Sequence, residues 1–133
     1  MKLILAIVSV AALSVSAYVA TANEADRRAA MKQNAAAAKA ISGGMNVAAN
    51  AQKIADLAGQ IPALWEINEV SGDSTSRPEI WTNFADFTAK GQQLEAAALA
   101  VVAAANNGGD VAGAARAMGG ACGACHKSYK FNR

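Results

Sequence analysis

Residues 110–130 read DVAGAARAMGGACGACHKSYK, and the fold of this stretch decides what the rest of the chain must build around it. Asp110 follows the break Asn106-Asn107-Gly108-Gly109 and is placed to cap a helix reaching Tyr129 or beyond. The run has no proline and is rich in alanine, the best helix former and a residue depleted in strands. Alanine dominates everywhere: 35 of the 133 residues. That composition excludes an all-β domain. Charged residues are 17% of the chain with no long like-charge block, which excludes disorder. Aromatics are only 5%, and alanine buries little area, so a helical domain of this length has a thin core. Something beyond the side chains must add to it.

The same stretch carries the chemistry. Cys122-Gly123-Ala124-Cys125-His126 is the Cys-x-x-Cys-His pattern of covalent c-type haem attachment. On a helix, positions i, i+3 and i+4 share one face within about one turn. Two thiols can then bond to the two vinyl groups of one porphyrin, while the His126 imidazole reaches the iron from the same side. Tyr129, at i+4 from Cys125, shares that face and can lie along the macrocycle edge. A thioredoxin-like pair would need a βαβ setting, and none is visible. A zinc site needs about four ligands, whereas these cysteines and the only histidine make three. A helical bundle braced by a disulfide, with no cofactor, stays open as a third reading.

Outward from this helix, three more alanine-rich segments read as helical. The first runs from about Glu24 to Ser42 and stops at Gly43-Gly44. The second runs from about Asn50 to Ile61, with Ile54, Leu57, Ala58 and Ile61 on one face and Pro62 ending or bending it. Residues 70–78 form a polar, breaker-rich linker. Ser76 and Glu79 are spaced as a capping box, with Pro78 in the first turn of a third helix to about Ala105. Its stripe is Trp81, Phe84, Phe87, Leu94, Ala98 and Val101. Four such helices with short loops predict an all-α antiparallel four-helix bundle.

The N-terminus reads differently. Met1-Lys2 opens an uncharged run of eleven residues, Leu3 to Leu13, followed by small residues ending in Ala20-Thr21-Ala22. This is the pattern of a cleaved secretory signal peptide, residues 1–22, because the run is shorter than the roughly 20 residues of a spanning helix. Membrane contact is then expected only through the uncleaved segment. Residues 23–133 carry eleven Lys/Arg against ten Asp/Glu, so no basic surface for nucleic acid is expected.

The sequence resembles the class II c-type cytochromes, comprising cytochromes c′ and the low-spin c-556 type. The resemblance rests on Arg27-Arg28-Ala29-Ala30-Met31-Lys32, on Arg77-Pro78-Glu79-Ile80-Trp81, and on the motif continuing into Lys127-Ser128-Tyr129-Lys130. It implies a left-handed four-helix bundle enclosing one covalently attached haem c, a periplasmic location, electron transport, and a chain that can form a homodimer. It also implies His126 as proximal iron ligand. Met31 falls where the c-556 type supplies its axial methionine, and a Met/His pair raises the reduction potential. In cytochromes c′ the matching position holds an apolar side chain that blocks the distal face, leaving a high-spin iron that binds nitric oxide or carbon monoxide. A methionine on an apolar stripe also serves as core filler. Met45 and Met118 are weaker candidates.

Arg27, and beside it Arg28, is expected near a haem propionate, and Trp81, Phe84 and Phe87 around the pocket, with Trp65 at the bundle end. Lys130 stands where the family often has arginine, keeping the charge without the planar fork. With Lys127 and Arg133 it gives the haem-bearing terminus a mild positive face for a redox partner protein. No group is arranged for substrate turnover, so the expectation is a carrier and not an enzyme.

Overall fold

The structure, a computed structural model, describes residues 22–133. The expected signal peptide lies outside the described residues, apart from Ala22. Among them the chain forms six helices: α1 Glu24–Ser42, α2 Val47–Gly59, α3 Ile61–Leu64, α4 Glu79–Thr82, α5 Phe84–Asn107 and α6 Val111–Tyr129. The long ones, α1, α2, α5 and α6, make the four-helix bundle that the alanine pattern predicts.

Local chemistry sets most of the boundaries. Asn23 and Asp26 form a reciprocal capping box at the start of α1: each side chain accepts the other's backbone N–H, at 2.8 and 3.1 Å. Gly44, at φ +71°, lets the chain leave α1, and Asn46 enters α2 from the left-handed region. Asn50 lies inside the first turn of α2, its amide donating to the carbonyls of Met45 and Asn46, so the helix begins three residues earlier than its apolar pattern suggests. Pro62 does not end α2; it opens the separate turn α3, where its missing N–H costs nothing. Asp110 caps α6 as expected, accepting from the Gly113 N–H at 2.8 Å. A Cβ on Gly113 would stand 2.2 Å from that carboxylate, so the cap requires glycine there.

The third predicted helix is corrected. It is broken at Asn83 into α4 and α5, and α5 continues to Asn107, ending at left-handed Gly108. The Ser76 capping box does not form. Ser76 Oγ accepts from the Trp65 indole at 3.2 Å, Glu79 pairs with Arg77 at 2.8 Å, and Pro78 stands at the N-cap without a side-chain cap. A tertiary contact has taken the hydroxyl that the local pattern assigned to the helix.

Packing follows residue size. Ala51, Ala55 and Ala58 of α2, with Ala98 and Val101 of α5, are buried and let these two helices share the most extensive contact in the bundle. α5 also packs along α6, and α1 along α2. The fourth seam, between α1 and α6, is nearly without contact. Near one end Phe87 packs edge-on against Trp65 and Tyr129, with centroids 5.6 and 5.3 Å away. The linker is tied to the C-terminus: the Arg77 N–H donates to the Tyr129 carbonyl and the Phe131 N–H to that of Thr75.

Candidate functional site

The open seam holds a cavity of about 340 Å³. Arg27, Met31, Asn34, Ala35 and Ala38 line it from α1, the i, i+3/i+4, i+7 repeat of a single helix face. Cys122, Cys125, His126 and Tyr129 line it from α6. Ile54, Ile61, Trp65, Ile80, Phe87 and Leu94 close it with apolar surface. Gly91 of α5 faces Ile61 there, where a Cβ would make ordinary van der Waals contact at 3.4 Å.

The motif residues stand as helical spacing requires. Both cysteines are half-buried free thiols, pushed above the ordinary thiol pKa chiefly by burial. α6 runs unbroken through them, which puts both thiols on one face a turn apart. His126 is shifted below the ordinary imidazole value, first by desolvation and then by the Lys130 charge. Both effects favour the neutral ring, the form that binds a metal. Tyr129 packs its ring on Phe87 and donates its hydroxyl hydrogen to Asp86, which Lys90 also approaches at 3.8 Å.

The other candidates divide. Arg28, Phe87 and Lys130 line the cavity; Trp81 and Phe84 do not. Trp81 lies on the short α4, off the α5 stripe, and its indole N–H donates to the Trp65 carbonyl at 2.8 Å. Phe84 packs behind Phe87, centroid to centroid 6.0 Å. Arg27 is buried, and its Nε and Nη1 donate to the carbonyls of Leu64 and Glu69 at 2.7 and 2.6 Å. Its Nη2 donates to that of Ile67, and its Cζ lies 5.7 Å from the ring centres of Trp65 and Trp81. These partners make Arg27 a fastening of the 64–69 segment to α1, on a residue that also lines the cavity. Arg28 pairs with Glu24 and Asp73 at the surface. Of the methionines, Met45 is 60% exposed and Met118 is packed in the core at 3% exposure; of these three, Met31 is the one on the cavity wall.

Trp65, expected at the bundle end, also lines the cavity; Ile54 and Leu94 were legible only as members of apolar stripes, and Asn34 and Gly91 were not singled out. Asn34 had a usable signal: it sits three residues from Met31 and seven from Arg27, on their stripe.

The sequence profile of the Cytochrome C′ family matches residues 20–130. The chain belongs to the cytochrome c′ family. Cytochrome c′ from Thermochromatium tepidum superposes with a TM-score of 0.72 at 28% identity, covering 80% of this chain and 92% of that one. A ferrous variant of cytochrome c′ from Alcaligenes xylosoxidans, solved with bound nitric oxide, gives 0.67 at 26% identity, covering 80% and 91%. Cytochrome c-556 from Agrobacterium tumefaciens strain B2A is 44% identical over 63 residues, which are 45% of this chain and 50% of that protein. The chain thus spans about half the length of the curated relatives it matches. As in the family, the cofactor is one haem c, held by Cys122 and Cys125. The residues fit that group: a slot with mainly apolar walls, two thiols one helical turn apart, and a neutral imidazole beside them.

Proposed function

We propose that this protein is an exported, periplasmic one-electron carrier whose haem iron is bound by His126 on one face and Met31 on the other. The observation that carries this reading is the placement of Met31 on the α1 wall of a cavity whose α6 wall holds His126, with Met45 and Met118 elsewhere. Likeness to proteins called cytochrome c-556 supports it. No described helix is long and apolar enough to cross a membrane.

The bound haem supplies reversible one-electron exchange at iron. The chain's own groups do the rest. Cys122 and Cys125 fix the macrocycle to α6, and the neutral His126 ring offers nitrogen without a proton to displace. The apolar walls keep water away and disfavour extra charge. Met31 offers a soft sulfur that stabilises the reduced state.

A second reading, a high-spin protein that binds a diatomic gas, is favoured by the nitric oxide complex of the Alcaligenes xylosoxidans relative. An optical spectrum separates the two. The first expectation is a low-spin spectrum unmoved by carbon monoxide, converting to high-spin in Met31→Ala. A wild-type spectrum already high-spin and shifted by carbon monoxide would replace the first reading with the second.

A further inference from the structure

α1 and α6 carry opposite walls of the cavity, yet they scarcely touch. The segment between α3 and α4 joins them instead. On the α1 side its Ser71 N–H donates to Glu24 Oε2 at 2.6 Å, its Asp73 pairs with Arg28 at 3.0 Å, and its carbonyls at Ile67 and Glu69 accept from Arg27. On the α6 side its Thr75 carbonyl accepts from the Phe131 N–H at 2.8 Å, and its Gly72 carbonyl from Arg133 at 3.3 Å. Its Arg77 N–H donates to the Tyr129 carbonyl at 3.0 Å. Between the two sets, Ser74, Thr75 and Ser76 lie on the cavity wall itself. The Ser71 N–H, then Arg28, holds the Glu24 pKa down to about 2, so the carboxylate is ionised and the Ser71 bond is charge-assisted. Met31 stands about two turns further along the same face of α1.

We propose that residues 66–77 are a strap across the open seam, and that Glu24 is the positioning residue that fastens it: the Glu24–Ser71 bond keeps the Met31 wall closed over the haem slot, and without it an external ligand reaches the iron. The inference rests on the reading of Met31 as distal ligand given above. Its physical basis is the scarcity of contact along this seam. A region with few packed contacts opens locally at far lower free energy than the whole domain unfolds, and the few bonds that span it set that free energy. The other three seams are closed by packed side chains; this one is closed by hydrogen bonds and ion pairs to a loop. Arg27 still holds the 64–69 end when Glu24 is removed, so the opening is partial and the bundle stays folded.

The test compares the ferrous holoproteins of wild type, Glu24→Ala and Glu24→Gln with and without carbon monoxide. Glutamine loses the charge at the helix start but keeps a carbonyl that accepts from the Ser71 N–H; alanine loses both. With a low-spin wild type unmoved by carbon monoxide, Glu24→Ala is expected to gain a fraction whose Soret band the gas shifts, and Glu24→Gln is not. Amide hydrogen exchange across residues 71–76 should be several-fold faster in Glu24→Ala than in wild type, and unchanged in Glu24→Gln. An alanine variant as inert to carbon monoxide as wild type, or with unchanged exchange, overturns the proposal. Equal shifts in the two variants overturn it as well, because the helix-start charge and not the strap bond would then be responsible. Failure of the Met31 reading looks different: wild type itself would be high-spin and bind the gas. The strap is then judged by rate, with binding several-fold faster in Glu24→Ala supporting it and equal rates overturning it.

Discussion

Tyr129 shows how much one side chain can join. Its ring packs on Phe87, its carbonyl accepts from the Arg77 N–H, and its hydroxyl donates to Asp86. Burial, then the Asp86 carboxylate, pushes the phenol pKa up to about 12. An unfolded tyrosine loses its proton near 10. Below about pH 10 both states keep the proton, and stability does not change on its account. Between about 10 and 12 the unfolded chain has released it and the folded chain has not, so stability falls as pH rises. Denaturation midpoints measured across that window should fall in wild type and stay flatter in Tyr129→Phe. Tyr18 is the only other tyrosine, so in a chain beginning at Asn23 the tyrosinate absorption reads Tyr129 alone. The motif around this residue was legible because its parts lie within one turn. Its acceptor was not, since Asp86 is 43 positions away and nothing local marks it.

Among the elements, α6 is the one that carries the cofactor and the one least suited to being a helix. It has four glycines in 19 residues. Gly113 is needed by the Asp110 cap, but a Cβ on Gly119 or Gly120 would meet nothing within 4 Å. Gly120→Ala should therefore stabilise the holoprotein by about 0.5–1 kcal/mol in chemical denaturation. Gly113→Ala should cost about 1 kcal/mol by disturbing the cap. Equal effects at the two sites would mean that helix propensity alone governs α6. Element existence was readable from alanine content and breakers, and the Asp110 cap from its position. The break at Asn83 was not: Trp81, Phe84 and Phe87 recur every three residues straight through it. Ser76, spaced to cap the longer helix, is instead held by the Trp65 indole eleven positions back. Periodicity reported a face, and only the tertiary contact determined where the helix could start.

For the molecule as a whole, the alanine content has two effects. It lets α2 and α5 close on each other, and it leaves the opposite seam without side chains large enough to fill it. The bundle should then depend on its cofactor. A Cys122→Ala/Cys125→Ala double variant, which cannot retain covalent haem, is expected to lose cooperative thermal unfolding while keeping much of its helical circular dichroism. A sharp melt at the holoprotein temperature would show that the core suffices alone. The bundle was legible as four periodic segments with short breaks. The position of the cavity was not, because four alanine-rich faces do not say which pair will stay apart.

The turn between α1 and α2, with Gly44 and Asn46 both at positive φ, matters to the history of the molecule as well as to its shape. With α1 packed along α2 but scarcely on α6, α2, α5 and α6 are expected to assemble first and α1 to close last about residues 43–46. In that order haem would meet the cysteines before the arm that bears Met31 closes over the cavity. Covalent attachment would then precede closure of the α1 wall. The cofactor-free variant should be cut by a protease first at this turn, and attachment should make the same bonds resistant.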